Sequence, residues 1–453
     1  MEYRLSKRSN RLRRWTLRLR RWALRLRRWA IPPWQWSTRR QLSFLILLGS
    51  WALLGCGDAA PGPGETSPAG PTVSDSAGIR IVVNHEPQWR DDEGWEVDSD
   101  ASLEIGGVEA PPEAHLVVAG PSRSLSDGRI LTGDLRQRWV AIFGSDGGFQ
   151  SRAGRSGEGP GELQSPSSWL VLGSDSLVFM DLGTGRLSFF GEDGTFLDLV
   201  RLEDPAGVPG LQLLGRAEDG RLAGRAARPG VSDPGTVGRD ELELVMVDPA
   251  SGGHMSVTTV PGTERFTIQR ELGDGRQVRL YQPLPLGREG AVVFHGNRFF
   301  SGDGIPFQIR VHTVDGDRGE IWRVDEPPAA LGRGRLGELR ERINELTGDE
   351  GDVGFSAQGA LELWDDAPLP SSLPAFGSLH VDALGYLWVG EYELLPQVRP
   401  PGRYSIFNPE GTLLGTVHLP EPLRITEVGS DFILGHTVDE MGVPVIRTYG
   451  LTR

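Results

Sequence analysis

Cysteine, long apolar runs and catalytic signatures are all scarce in this chain of 453 residues. Its single cysteine, Cys56, excludes a disulfide framework and a cysteine-ligated zinc site. Neither a Gly-x-Ser-x-Gly elbow nor an HExxH motif occurs, so two common hydrolase signatures are missing. No apolar run reaches the roughly 20 residues that a bilayer-spanning helix needs. The sequence therefore identifies no catalytic residue, although scattered loop residues could still catalyse a reaction, and it predicts no cofactor and no metal site.

Positive charge is concentrated at one end of the chain. Residues 1–40 hold 14 basic side chains and one acidic side chain, whereas the remainder holds 33 basic and 60 acidic ones. An acidic body lacks the basic patch that binds phosphate backbones. We therefore expect no nucleic-acid partner, and we expect a cationic or neutral ligand more than an anionic one.

The basic segment contains a near-perfect heptad repeat. Residues 11–31 read RLRRWTL, RLRRWAL and RLRRWAI, which on a helix places leucines and tryptophans in one stripe opposite the arginines. One interpretation is a cationic helix that lies on an anionic membrane surface. The interpretation that we favour is a repeat upstream of the true start, or an enlarged basic region of a signal peptide.

A short apolar run follows the basic segment. Its 13 residues, LSFLILLGSWALL at 42–54, fit the apolar region of a secretory signal peptide. The run ends in LLGC at 53–56, which resembles the lipobox of bacterial lipoproteins. That resemblance implies cleavage just before Cys56 and lipidation of its thiol. A chance cysteine after an ordinary signal peptide is the alternative.

These features predict three regions. Residues 1–55 form a basic extension and a lipoprotein signal peptide. Residues 56–74 are rich in proline, glycine, serine and alanine, which is typical of a disordered tether. Residues 75–453 form the folded body. We expect an extracytoplasmic protein of the bacterial cell envelope that contacts the membrane through its lipid only.

The body consists of short apolar runs separated by Asp-Gly pairs. The glycines of these pairs are Gly128, Gly147, Gly194, Gly220, Gly275, Gly304 and Gly316. Asp-Gly tolerates positive φ at both central positions of a type I′ turn, and it is a strong hairpin signal. The pattern predicts antiparallel strands throughout the body.

The hairpins repeat in larger units. Residues 125–154 follow the order turn, strand, turn, strand, turn, and residues 173–200 repeat that order. Four less regular copies start near residues 219, 289, 382 and 429. Units of about 40–50 residues indicate four-stranded sheets in a radial array. The predicted fold class is all-β, a six-bladed β-propeller of four-stranded antiparallel blades. A pair of β-sandwiches is the competing architecture.

A closed propeller leaves no blade edge exposed. The sixth unit stops about one strand short, so we expect an N-terminal strand to complete the last blade. The strand around Ile79–Val83 is the candidate, and the apolar residues at 103–105 follow it. One short helix is predicted over 335–346, within an insertion at 320–373.

The glycine-rich segment GRSGEGPGELQSP, residues 154–166, resembles the loop between blades in NHL-repeat propellers. Together with DSAGIRIVVN at 75–84 and GYLWVGEY at 385–392, it makes the body similar to NHL-like six-bladed propeller lipoproteins of bacteria. The resemblance implies the fold and an inter-blade role for this loop, in preference to phosphate binding. It says little about function, because such folds serve many functions.

The predicted function is a binding module for a protein, peptide or glycan, acting as a monomer. Long loops on a rigid scaffold are where binding residues concentrate, so we expect the insertions at 262–288 and 320–373 to build the ligand-contacting face. Trp322 and Trp364 are the candidate aromatic anchors, with core packing as the alternative for both.

The competing function is a metal-assisted lyase or lactonase that uses the central channel. Eight histidines are present, none spaced as a local zinc signature, but side chains from several blades can meet at a propeller axis. Asp134, Asp181 and Glu391 follow comparable strands and could form a cation-binding ring. Hydrogen bonding between blades is the alternative role for these three carboxylates.

Overall fold

The structure is a computed structural model that describes residues 70–90, 93–112, 115–230, 232–271, 273, 275–316, 319–347, 363–394 and 400–453. The predictions for residues 1–55, for lipidation of Cys56 and for most of the tether lie outside these residues. The described part belongs to a compact unit that runs from Glu65 to Arg453.

Four short strands precede the regular blades. They are Thr72–Ser76 (β1), Ile79–Asn84 (β2), Glu96–Val97 (β3) and Leu103–Gly106 (β4). The first of them begins three residues before Asp75, where the sequence places the start of the folded body.

Six antiparallel sheets follow one another along the chain. Blade 1 contains Ser122–Ser124 (β5), Ile130–Asp134 (β6), Trp139–Phe143 (β7) and Phe149–Ala153 (β8). Blade 2 contains Pro166–Val171 (β9), Leu177–Asp181 (β10), Arg186–Phe190 (β11) and Phe196–Arg201 (β12). Blade 3 contains Gln212–Arg216 (β13), Leu222–Arg228 (β14), Val237–Val247 (β15) and His254–Glu271 (β16), followed by the extra strand Gln277–Pro283 (β17).

The last three blades are interrupted by one α-helix. Blade 4 contains Ala291–His295 (β18), Arg298–Gly302 (β19), Gln308–Thr313 (β20) and Glu320–Val324 (β21). The helix spans Arg333–Thr347 (α1). Blade 5 contains Phe376–Val381 (β22), Leu387–Glu391 (β23), Arg403–Phe407 (β24) and Leu413–His418 (β25). Blade 6 contains Arg424–Val428 (β26), Phe432–Val438 (β27) and Pro444–Thr452 (β28), with β4 as its fourth strand.

One apolar cluster lies between each pair of neighbouring blades. The cluster between blades 6 and 1 joins Ile105 and Leu434 to Ile130, so the last blade packs against the first. Six interfaces between six blades close the ring, which confirms the predicted propeller. Stability rests on this burial, since non-directional apolar packing is the main favourable contribution to folding.

The last blade is closed by an N-terminal strand, as predicted, but the expected strand is wrong. In β4, Ile105 pairs antiparallel with Ile446 of β28. The candidate strand around Ile79–Val83 instead pairs in parallel with β21 of blade 4, where Val82 lies opposite Trp322. The physical reason is burial, because Val82 is fully buried in the cluster between blades 4 and 5.

The Asp-Gly hairpins are confirmed, but at four of them the predicted turn type is wrong. The Leu125 amide donates to the Arg129 carbonyl (2.8 Å) and the Gly128 amide donates to the Leu125 carbonyl (3.0 Å). Within this loop only Gly128 has positive φ, at 85°. The loop is therefore a three-residue type I turn with a glycine bulge rather than a type I′ turn. The same hydrogen-bond pair recurs around Gly147, Gly194, Gly220, Gly385 and Gly411.

Helix α1 confirms the prediction over 335–346. Its apolar residues Leu336, Leu339 and Ile343 recur at helical spacing and pack together on one face. Nowhere in the described part of the chain is a helix long and apolar enough to cross a membrane.

Residues 79–90 and 93–106 run across three blades, and we call them the N-terminal belt. Its β2 pairs with blade 4 and its β4 with blade 6. Between them, the Trp89 amide donates to the Leu414 carbonyl of blade 5 (2.7 Å). Buried Asn84 donates to the Gly411 carbonyl (2.9 Å) and accepts from the Leu413 amide (2.8 Å). The belt thus holds blades 4, 5 and 6 together.

Candidate functional site

The first strand of each blade lies at the propeller axis. Strand β26 contacts β5 and β22, β22 contacts β18, and β13 contacts both β18 and β9. Each of these strands is the edge of its own sheet. The six edges therefore surround a central channel, and polar residues on them are the candidates for a ligand site.

The two insertions pack together into one structure, which we call the cap. It comprises the far half of hairpin β16–β17, residues 284–287, helix α1 and residues 363–373. Leu286 of the first insertion packs with Leu339, Ile343 and Trp364 of the second. A second small cluster joins Phe266 and Leu284 to Leu363 and Ala367. The cap therefore has its own apolar core.

A cavity of about 400 Å³ lies where blades 3, 4 and 5 meet beside the cap. Its charged and polar wall comprises Gln212, Arg225, Asp240, Thr263, Arg265, Glu289 and Ser378. Cavities of this size hold small ligands or short segments of larger ones. We take it as the candidate functional site and call it the channel cavity.

Arg225 extends into this cavity from β14. Its Nε and Nη2 atoms both donate to Oε1 of Gln212, at 3.0 and 2.9 Å. Burial lowers the pKa of Arg225 below its usual value. Because its fixed partner is a neutral amide, the positive charge is not neutralised by a carboxylate and is available to a ligand.

The cavity also contains two acidic side chains, Asp240 and Glu289. Asp240 is buried, and its Oδ2 atom accepts from Nε of Arg265 at 2.6 Å. Its other oxygen accepts from the Gly230 amide at 3.0 Å. Glu289 takes part in no hydrogen bond or salt bridge with any residue that the structure describes. Both carboxylate oxygens of Asp240 are thus bonded within the protein, whereas the carboxylate of Glu289 is available to bind a ligand.

The surroundings of Glu289 disfavour its charged form. The side chain is open to the water of the cavity, but the protein surrounds it, and this desolvation raises the pKa of Glu289 while Arg265 opposes the rise. The nearby Tyr392 has its pKa raised by burial and by the charge of Glu289. A cation placed beside Glu289 would stabilise its carboxylate form.

Ser378 completes the wall on the innermost strand of blade 5. Its hydroxyl oxygen is buried without a hydrogen-bond partner among the described residues. A buried hydroxyl that lacks a partner costs free energy. The oxygen lies against Gly390 of β23 and is not accessible from the cavity.

The other side of the channel is cationic. Arg123 of β5 donates through Nη1 to the carbonyls of Ser122 (2.8 Å) and Thr426. Arg424 lies on β26 beside Tyr404. Burial lowers the pKa of both arginines, with Glu427 opposing the effect at Arg123 and Tyr404 opposing it at Arg424.

Two histidines lie in this cationic region. Burial, followed by the charges of Arg123 and Arg424, lowers the pKa of His380 from 6.5 to about 4. Burial and Arg424 lower the pKa of His436 to about 4 as well. Both histidines are therefore neutral at neutral pH, because a proton on either would be placed in a poorly hydrated site among arginines.

The described residues contain no group of three or more histidine, cysteine or carboxylate side chains that could hold a metal ion. Asp134 instead accepts from the Val117 amide (2.8 Å), and Asp181 accepts from the Ser165 amide (2.7 Å). Each thereby fixes the segment that enters its own blade. Glu391 lies elsewhere, 3.9 Å from Nη1 of Arg403.

The glycine-rich loop at 154–166 joins β8 to β9, as the NHL resemblance implies. Arg186 donates to the carbonyls of Glu158 (3.0 Å), Gly159 (3.0 Å) and Glu162 (2.6 Å). The loop thus presents carbonyl oxygens to an arginine, and it serves as a structural connection between blades 1 and 2.

The two predicted aromatic anchors lie in apolar clusters. Trp322 is 1% exposed, packs against Phe300 and Phe407, and donates through Nε1 to Glu320 (3.0 Å). Trp364 is 6% exposed within the cap. The structure places neither in the wall of the channel cavity. Their role as ligand anchors stays a prediction.

Sequence reasoning missed the residues of the channel itself. Arg225 stands within LAGRAAR between buried residues, and an arginine in the buried part of a strand is a usable signal. Glu289 and Ser378 stand just before or at the start of innermost strands, where the sequence carries no marked pattern. Only the closed ring brings them together.

No protein-family model matches the sequence, and no curated protein is detectably similar to it. Solved propeller structures resemble it at low identity. A protein from Bacteroides fragilis that is described as exported aligns with a TM-score of 0.43 and 12% identity, covering 82% of this chain and 99% of its own.

Two further structures are comparable. A member of the DUF4221 family from Bacteroides vulgatus has a TM-score of 0.46 and 11% identity, covering 79% of this chain and 99% of its own. Virginiamycin B lyase from Staphylococcus aureus has a TM-score of 0.38 and 9% identity, covering 80% and 100%. With TM-scores below 0.5 and identities of 12% or less, this likeness transfers neither an activity nor a ligand.

Proposed function

We propose that this protein is a lipid-anchored, extracytoplasmic binding module that holds part of a protein, peptide or glycan in its channel cavity. The observation that carries the proposal is that charged side chains of the cavity wall lack a charged partner within the described part of the protein. Arg225 has only an amide as its fixed partner, and Glu289 has none among the described residues. These groups are available to a ligand.

The rigidity of the scaffold supports a binding role. The cavity is formed by strands of three blades, and the cap beside it has its own apolar core. A site built on packed strands is largely formed before the ligand arrives, so little ordering entropy is lost on binding. Cys56 would hold this site at the membrane surface through its lipid, in accordance with the lipobox resemblance.

The proposal can be tested by filling the cavity. Ala291 lines its wall and is half-buried, so Ala291→Trp should occupy the space without removing a hydrogen bond. Ala250 lies in an exposed turn between β15 and β16, and Ala250→Trp is the matched control.

The full chain would be incubated with peptide and oligosaccharide libraries, and the retained compounds would be identified by mass spectrometry after gel filtration. We expect retention by the wild type and by Ala250→Trp, and loss of retention by Ala291→Trp at an unchanged melting temperature. Equal retention by both variants would place the ligand elsewhere.

A metal-assisted lyase or lactonase is the alternative function. Its test is elemental analysis of the purified chain together with turnover of lactone and peptide substrates. Stoichiometric metal with turnover that Ala291→Trp abolishes would replace the binding role with catalysis in the same cavity.

A further inference from the structure

The charges of the channel cavity divide into one internal pair and two side chains that the scaffold leaves available. Arg265 is neutralised by Asp240 at 2.6 Å. Arg225 is held only by the Gln212 amide, and Glu289 has no hydrogen bond or salt bridge within the part of the chain that the structure describes. One cavity therefore presents both an available guanidinium and an available carboxylate.

This combination favours a particular chemistry of ligand. A guanidinium binds carboxylates through paired, charge-assisted hydrogen bonds. A carboxylate that has no partner within the protein can accept charge-assisted hydrogen bonds from an ammonium group. A ligand that carries one group of each sign satisfies both walls and adds no net charge to the cavity.

The rest of the wall argues against a sugar as the ligand. None of the described residues that line the cavity is aromatic, since Tyr392 lies near Glu289 but outside the lining, whereas sugar rings are commonly held against aromatic faces. The small wall residues Gly210, Gly290 and Gly377 leave backbone exposed to the space. Exposed backbone amides and carbonyls are suited to hydrogen bonding with another peptide backbone.

We propose that the channel cavity binds the two termini of a short peptide, with the peptide's ammonium group against Glu289 and its carboxylate against Arg225. This inference rests on the proposed binding function and specifies its ligand. It also explains how a body with a strong acidic excess can take a ligand that bears a carboxylate, since the charge at Arg225 is local and is not neutralised by an acidic side chain.

The test compares tripeptide libraries that differ only at their ends. One library has free termini, a second is N-acetylated and a third is C-amidated, and a neutral oligosaccharide library accompanies them. Retention by the full chain would be measured by mass spectrometry. A charged hydrogen bond contributes about 1.5–3 kcal/mol, which corresponds to roughly 10- to 100-fold in affinity. We therefore expect each blocked library to be retained at least about tenfold less than the free one.

Two substitutions assign each terminus to its partner. Glu289→Gln should weaken binding of free and C-amidated peptides but leave binding of N-acetylated peptides unchanged. Arg225→Gln should show the reverse selectivity. Glu391→Gln, at a carboxylate outside the cavity, is the matched control and should alter none of them.

The outcomes separate this inference from the proposed function. Equal retention of blocked and free peptides, or retention of oligosaccharides alone, would overturn the inference while leaving the binding function intact. If the chain retains no member of any library, both proposals fail. Loss of binding in Glu289→Gln that does not depend on the peptide's amino group would also overturn the assignment of that group.

Discussion

Acid should destabilise this propeller through His380 and His436. Both histidines have a folded-state pKa of about 4 against an ordinary value of 6.5. The native state therefore keeps them neutral while the unfolded chain binds protons as the pH falls. Their contribution to stability is fully present above the ordinary pKa and is lost between about pH 6.5 and pH 4.

The size of the effect follows from the same two values. As the pH falls from about 6.5 to about 5, each histidine of the unfolded chain goes from about half protonated to almost fully protonated, whereas the native state binds almost no protons. At about 1.4 kcal/mol per pH unit and proton, each histidine should lose about 1 to 2 kcal/mol of stability over this range. The two together should lose about 2 to 4 kcal/mol.

The assay is chemical denaturation of the full chain at several pH values between about 5 and 7. The double variant His380→Gln/His436→Gln removes these two groups and should make the loss of stability over this range smaller by about 2 to 4 kcal/mol, whatever it does to stability at neutral pH. His418→Gln, at an exposed position of β25, should keep the wild-type slope. If the double variant and the wild type lose stability equally between about pH 6.5 and pH 5, the two histidines are not buried among arginines as described.

Two further predictions concern ring closure and the anchor. Ile105→Ala in the closing strand should lower the free energy of unfolding by about 2–4 kcal/mol. The control Val73→Ala, on exposed β1, should change that free energy by less than about 0.5 kcal/mol. Denaturant midpoints of the two variants test this, and equal midpoints would show that β4 does not close the ring. Cys56→Ser should abolish acylation and release the protein from membranes, and mass spectrometry that finds no acyl group on native Cys56 would contradict the lipobox assignment.

The sequence was sufficient to predict the architecture because propeller blades are built from local hairpins. Asp127-Gly128 and Asp146-Gly147 mark turns that close within five residues, so their signal does not depend on the rest of the chain. Five of the six predicted units nevertheless begin one strand late, whereas the unit near residue 289 begins at the innermost strand of its blade. The innermost strand of blade 1 is the short, polar Ser122–Ser124, which carries no apolar run because it borders the channel.

Closure and site geometry could not be predicted for a physical reason. Both depend on partners that are distant in sequence, such as Ile105 opposite Ile446. The strands β2 and β4 are both short and partly apolar, and only the packing of blades 4 to 6 decides which edge each one meets. The pairing of Arg225 with Gln212 could in principle be predicted, because the two residues lie opposite each other in one hairpin. The position of Glu289 in the same cavity could not, because Glu289 belongs to a different blade.

The N-terminal belt has a consequence for the order of folding. Its residues are synthesised before any blade, yet Arg80 reaches Glu320 across 240 positions of sequence, and Asn84 reaches Leu413 across 329. Contacts this distant cannot form until almost the whole chain is available, and such topologies fold slowly. Blades 1 to 3 can assemble during synthesis, whereas blades 4 to 6 must wait for the belt to dock. If synthesis stopped before β28, β4 would have no strand to pair with and blade 6 would be incomplete. The exposed strand edges would make such a chain prone to aggregation.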